Sequence, residues 1–270
     1  MKIDFSNEEK PLSGKIVPFD PKTGQIKINN QYDLANGATE PNSVAIIPIQ
    51  REILSWRTEQ IMQLIDVANA DPNIVSILFD ISTPGGMVTN TDLAAAKIKS
   101  SAKPTVGYVR DMVASAGMWI ASAMNYRIAS SALDRAGSIG TMARVMDMTR
   151  MYRDKLGIDV QDVYATKSTD KNGWYREFFN QDLTKEQQQQ QLIEDLDFVN
   201  THFHAAVIEN LGLASDSEVL TGKMYHAEKA IELGLINEIN SMDYAINYAH
   251  KLGVENSIKS YIHSQNKSKK

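Results

Sequence analysis

Ser115 lies in the run Asp111-Met-Val-Ala-Ser-Ala-Gly-Met-Trp-Ile-Ala-Ser-Ala123. Before it comes an apolar, β-rich stretch, Thr105-Val-Gly-Tyr-Val109, and after it a segment that reads as a tightly packed helix, Gly117 to Met124. A serine on a strand-to-helix turn holds its hydroxyl where backbone N–H groups point outward and negative charge is favoured. That position suits a nucleophile and the oxyanion its attack creates. Its neighbours Ala114, Ala116 and Gly117 are small, which lets the chain turn sharply and another segment come close. The plainer reading is a helix N-cap.

A serine nucleophile needs oxyanion donors and a base. Ser82-Thr-Pro-Gly-Gly86 directly follows the buried-strand pattern Val75–Ile81. In a parallel sheet ligands bind beyond the carboxyl ends of the strands. If this strand neighbours the one leading to Ser115, the N–H groups of Gly86 and Ala116 reach one side of the sheet as a prospective oxyanion hole. On its own, Pro-Gly-Gly is a common turn. The five histidines, His202, His204, His226, His250 and His263, all lie in the C-terminal third. His202 and His204 are two apart on a helix and point to different faces. They make a poor metal pair, and each histidine reads as packed or solvated. A lysine can replace histidine as base when burial lowers its pKa. The candidate is Lys167 in Tyr164-Ala-Thr-Lys-Ser-Thr-Asp-Lys171, although an isolated lysine is ordinarily a surface residue. Ala136-Gly-Ser-Ile-Gly140 is either a loop that brings Ser138 to the lysine or an ordinary turn. The run Gln187–Gln191 reads as a solvated helix face, and the methionines as core filling.

The elements that must carry these residues alternate strand and helix. The strand patterns are 44–49, 75–81, 105–109, 126–129, 160–164 and 235–239; the helical ones are 53–68, 93–98, 117–124, 148–156, 185–211, 226–233 and 244–252. Pro48 suggests an edge or the end of the first strand. Such alternation implies an α/β fold with a mainly parallel sheet. Residues 1–40 read as an irregular extension with a short hairpin at Pro21-Lys-Thr-Gly24, residues 41–255 as the catalytic domain, and 256–270 as a frayed polar tail.

Composition narrows the class. The chain has 270 residues, 43% of them hydrophobic, and a formal net charge of −5, so nothing favours nucleic acid. The absence of cysteine excludes a disulfide scaffold, thiolate metal sites and a cysteine nucleophile. No metal or cofactor is expected. No apolar run is long enough to span a bilayer, and the polar, acidic start Met1–Lys10 is unlike a signal peptide.

Seven pieces in order resemble the S49 serine peptidases, the signal peptide peptidase A group and its phage relatives, over about residues 44–250. They are Pro84-Gly-Gly86, Ala114–Ser122, Gly137-Ser-Ile-Gly140, Lys155-Leu-Gly-Ile158, Lys167, Leu183-Thr-Lys-Glu186, and Leu220-Thr-Gly-Lys223 with Ala227 and Gly234-Leu-Ile236. The resemblance implies a fold like Clp protease and crotonase. It implies Ser115 as nucleophile, Lys167 as general base, Gly86 and Ala116 as oxyanion donors, and a homo-oligomer in which serine and lysine meet across protomer contacts. Two departures stand out. The usual Ser-Gly-Gly is Ser115-Ala-Gly117, as in phage-type members, and Gly-x-x-Lys is Tyr164-Ala-Thr-Lys167, which leaves Lys171 as the fallback base. No membrane anchor is seen, so the expectation is a soluble Ser-Lys endopeptidase of the cytoplasm or a phage prohead, acting on capsid, scaffold or other polypeptides. The alternatives are a peptidase that degrades signal peptides, a crotonase-type acyl-CoA enzyme, and a non-catalytic oligomeric assembly protein of the same fold.

Overall fold

The structure, a computed structural model, describes residues 11–267. It divides into two compact units: one runs to Gly140 and resumes at Phe203, and the other is Thr141–His202. The first begins with β1 (Lys15–Val17), β2 (Phe19–Asp20), β3 (Gln25–Ile26), β4 (Tyr32–Asp33), β5 (Ser43–Gln50) and α1 (Ser55–Ala70). Next come β6 (Ile74–Thr83), α2 (Thr91–Lys99), β7 (Thr105–Ala114), α3 (Ala116–Ser122), β8 (Tyr126–Ala129) and β9 (Arg135–Gly137). The second unit holds a π-helical turn at Met151–Lys155, α4 (Gly173–Phe178) and the start of α5 (Lys185–Leu211). The first unit ends with β10 (Met224–His226), α6 (Ala227–Glu232), β11 (Glu238–Ile239) and α7 (Met242–Lys267).

Among the described residues, a nine-stranded sheet runs in the order β10-β9-β7-β6-β5-β1-β4, with β8 bridging β7 and β11. The central pairs β5–β6, β6–β7, β7–β8 and β7–β9 are parallel, as the alternating pattern implies. The central strands are apolar almost throughout because helices cover both faces. On one face Val44, Ile46, Leu78, Val106 and Tyr108 pack with Ala245, Ile246 and Ala249 of α7. Alternate residues such as Ile47, Phe79 and Ile81 point the other way and are fully buried. β1 covers only Val44–Ile46 of β5, so Pro48, which has no N–H to give, sits where β5 has lost that neighbour.

Several expectations change. Residues 15–17 and 32–33 of the supposed irregular extension join the main sheet, while the short hairpin is β2–β3. The tail is helical through Lys267. The segment 160–164 is not a strand, whereas the helix read at 148–156 is present over residues 149–156, with a π-helical middle at Met151–Lys155. Val160 and Val163 are 71% and 86% exposed; a strand needs a neighbour to complete its hydrogen bonds, and these residues have none among the described ones. β7 continues five residues beyond Val109, to Ala114. It can do so because it bulges: between the pairs Ile81↔Val109 and Thr83↔Val113, β6 advances two residues and β7 four.

The close fit of α7 on the sheet is testable at Gly253. A Cβ there would lie 2.6 Å from the Val75 carbonyl oxygen. In an open helix, alanine is favoured over glycine by about 1 kcal/mol, but overpacking against backbone costs about 1–3 kcal/mol. Gly253→Ala is therefore expected to lower stability by up to about 2 kcal/mol in urea denaturation. A gain in stability would show that α7 is not seated this closely.

Candidate active site

Three adjacent strands end at one edge of the sheet, and each delivers a residue singled out from sequence. β6 ends at Thr83 and leads to Gly86; β7 ends at Ala114 and leads to Ser115; β9 ends at Gly137 and leads to Ser138. The pairs Thr83↔Val113 and Ala114↔Gly137 hold the three ends level. The structure thus brings Gly86, Ser115, Ala116 and Ser138 to one edge; the strand pattern implied this for the first three, while Ser138 follows β9, a strand the pattern did not mark.

Ser115 adopts φ 53° and ψ −126°. A non-glycine residue held there stores on the order of 1–3 kcal/mol of strain. Its surroundings enforce the conformation. The Ser115 N–H donates to the Gly137 carbonyl at 3.1 Å, and the Ser115 carbonyl accepts from Met118 and Trp119 N–H at 2.8 and 3.1 Å. Every residue of α3 is buried, and Trp119 stacks on Phe203 at 4.8 Å. The N-cap explanation fails, because the Ser115 side chain makes no capping bond to α3. The residue is half-buried, and its hydroxyl has no hydrogen-bond partner among the described residues.

The glycine pair explains how a second strand end comes so close. Gly85 has φ +93°, and a Cβ on it would lie 2.6 Å from the Ser115 Cβ and 3.1 Å from the Ala116 nitrogen. Only glycine leaves room. The turn is also anchored from outside: Ile53 N–H donates to the Gly85 carbonyl and Met87 N–H donates to the Ile53 carbonyl, both at 2.8 Å. Because Gly85 C=O and Met87 N–H both face Ile53, the intervening Gly86 N–H faces away from it. Ala116 is the first residue of its helix, so its N–H has no partner within that helix. Gly85 itself was not singled out from sequence, although the doubled glycine carried the signal.

Among the described residues, the non-glycine residues with positive φ other than asparagine are Arg51, Asp111, Ser115 and Ser138. All four lie at the C-terminal end of β5, in the β7 bulge, or just beyond β7 and β9. Strain concentrated in this way marks functional sites. A groove of about 560 Å³ opens beside the Pro84–Gly86 turn, lined by Gln50, Arg51, Ser82, Pro84, Arg110 and Met112 among others.

Lys167 lies in the other unit, at an exposed turn rather than just after a strand, and Lys171 is exposed too. Lys103 is the lysine that burial pulls down, to about 8, with the nearby Asp71 opposing. Its ammonium donates to the carbonyls of Ala68 and Asp71 at the end of α1. It precedes β7, whereas Ser115 follows it; ten strand residues span roughly 33 Å, which removes Lys103 as a base. Three of the five histidines are engaged elsewhere: His226 contacts the Leu133 carbonyl at 3.1 Å, His250 stacks on Phe19 and His202 meets Phe198 edge-on. Among the described residues there is no metal-binding cluster and no helix long and apolar enough to cross a membrane.

The chain is similar to several known proteases. A proposed protease of Methanocaldococcus jannaschii is 28% identical over 202 residues, covering 71% of this chain and 60% of that protein. Capsid assembly protease C of Escherichia phage lambda is 27% identical, covering 75% and 48%. Protease 4 of Haemophilus influenzae is 22% identical, covering 93% and 42%. The chain thus spans about half the length of these relatives. Among solved structures, a ClpP1 mutant from Listeria monocytogenes is similar at a TM-score of 0.47 and 13% identity, covering 74% of this chain and 94% of that one. A membrane-bound stomatin-specific protease, 1510-N, is similar at a TM-score of 0.47 and 17% identity, covering 72% and 78%. Peptidase family S49 matches residues 97–255, which include Ser115, Ser138 and Lys167. That is more than half of the chain, and the protein belongs to peptidase family S49.

Proposed function

We propose that this chain is a serine endopeptidase with Ser115 as nucleophile and Lys167 as general base. The observation that carries the reading is the strained Ser115 turn, with a hydroxyl spent on no structural bond, packed directly against the Gly85–Gly86 turn. Membership of family S49 supports it. The Ser115 Oγ attacks the scissile carbonyl carbon while neutral Lys167 takes the hydroxyl proton. The Gly86 and Ala116 N–H groups hold the resulting oxyanion. Collapse of the tetrahedral intermediate breaks the C–N bond, and the lysine ammonium returns the proton to the departing amine. Water, deprotonated by the same lysine, then hydrolyses the Ser115 acyl ester and restores the serine. Ser138 supports the lysine by hydrogen bonding.

The substrate class is polypeptide. The similarity to a capsid assembly protease favours a capsid, scaffold or portal chain as the natural target, with the enzyme working in the cytoplasm or a prohead. The active form is a homo-oligomer. The Thr141–His202 unit supports this, because none of its residues is buried and Met142, Met146, Val160 and Val163 are each at least 70% exposed. A unit of this kind cannot stand on its own apolar surface, and a second copy would supply the missing cover. Covering Lys167 would also provide the burial that a lysine base requires.

Ser115→Ala is expected to abolish labelling by a fluorophosphonate probe and to slow peptide cleavage by at least about a thousandfold. Its stability should change by less than about 1 kcal/mol, as one β-hydroxyl is lost beside Ala114 and Ala116. Peptide mapping of the labelled wild type reads the site; an undiminished rate in the variant removes Ser115 as nucleophile.

The shared-site reading is tested by mixing. Ser115→Ala and Lys167→Ala proteins, each inactive, should regain part of the cleavage rate once subunits exchange, because some contacts then pair an intact serine with an intact lysine. Tagged copies report the exchange. Exchange without recovery means that both residues act within one protomer or that Lys167 is not the base, and the same mixture made with Lys171→Ala separates these outcomes.

A further inference from the structure

The bulge that lets β7 reach the site is tied down by a buried carboxylate that the proposed chemistry does not use. Asp134 is 6% exposed, and no ion pair to it is present among the described residues. One of its oxygens accepts the Asp111 N–H at 2.8 Å. The other accepts the Ser130 N–H and hydroxyl, both at 2.7 Å, and the Ser131 N–H at 2.9 Å. A buried carboxylate without a cation is stabilised by hydrogen-bond donors of this kind. All four donors come from its own turn and from β7, so Asp134 is engaged in holding these two segments together.

Its leverage comes from where it holds. Asp111, at φ +66°, is the crest of the bulge. Up to Val109, β7 pairs with β8; from Met112 it pairs with β9. Asp134 stands in the connection between those two neighbours, so one carboxylate joins the bulge to the turn that separates them. Met112–Ala114 are then locked in the ladder with β9, and Ser115 follows at once. Losing one bulge residue would slip this stretch by one position and turn every side chain to the opposite face. We propose that Asp134 is a positioning residue that sets the height and direction of Ser115 by fixing the β7 bulge. The proposal rests on the reading of Ser115 as nucleophile.

Asp134→Asn keeps the size but has only one acceptor oxygen, so either Asp111 N–H or the Ser130–Ser131 pair loses its partner. In the full-length protein, the fluorophosphonate labelling rate at Ser115 should fall by at least about tenfold, since small displacements of a reacting group are costly. kcat for peptide cleavage should fall with it while KM moves less than about threefold. Amide hydrogen exchange should show faster exchange at Asp111 and Ser115, with circular dichroism unchanged. Asp134→Glu retains the charge and shifts it by one methylene, and should show a smaller loss. Leu133→Ala, an exposed side chain in the same turn, should stay within about twofold of wild type. A folded Asp134→Asn protein that labels at the wild-type rate overturns the proposal. Loss of circular dichroism in both Asp134 variants also overturns it, because the role is then global stability. If wild type is not labelled at Ser115, the nucleophile reading fails separately, and the exchange rate of the Ser115 amide still decides whether Asp134 positions that turn.

Discussion

β7 must serve two neighbours along one edge, and the extra residues at Arg110 and Asp111 are what allow it. A regular strand paired with β8 through Val109 would continue beside β8 and leave no place for β9. The bulge breaks that continuity and restarts the ladder on β9 at Met112. Two interactions hold it. Arg110 forks onto Asp80 with contacts of 2.6 and 2.7 Å, but its side chain is half-exposed, so the pair contributes about 1 kcal/mol or less. The Asp134 carboxylate is buried with four donors around it. Leaving a buried donor or acceptor unmatched there costs about 1–3 kcal/mol for each group, which makes Asp134 the stronger of the two constraints.

The bulge has a consequence for strain. Ser115 is held in a left-handed conformation by groups on three sides: Gly137 from β9, the buried helix α3, and Gly85 from the end of β6. None of these grips the hydroxyl. The fold therefore fixes the backbone of this residue and leaves its side-chain oxygen uncommitted, the reverse of a structural serine such as Ser122. That hydroxyl donates to the Trp119 carbonyl at 2.7 Å and accepts from Asn210 at 3.1 Å. The contrast between two serines of one short segment is a physical argument for the role assigned to Ser115.

The Thr141–His202 unit has a different character. Its order comes from local turns, the π-helical segment and a chain of edge-on aromatic contacts through Trp174, Tyr175, Phe179 and Phe178. It gains little from burial, the largest favourable contribution to folding. Apolar residues left uncovered in this way make sense in a surface completed by another chain, and the proposed base lies on this unit.

The sequence alone determined the order of the elements around the site. Apolar runs of strand length bounded by glycine, proline and aspartate placed the cores of β5, β6 and β7, and the 3.6-residue patterns placed α1, α2 and α5, because these signals are local. It also marked Gly86, Ser115, Ala116 and Ser138, since small residues and doubled glycines after a strand record a tight turn in the residues themselves. Only the tertiary structure decided that these turns share one edge. It also decided that the Ser115 hydroxyl caps nothing and that β7 runs past Val109 on a bulge. Three-residue strands such as β9 and β10 have no period to read; they exist because each finds a partner, β9 beside the end of β7 and β10 beside β9. The segment 160–164 shows the converse. Its valines and tyrosine are residue types that strands favour, but strand pairing is a property of two segments, and a single segment does not carry its partner in its own residues.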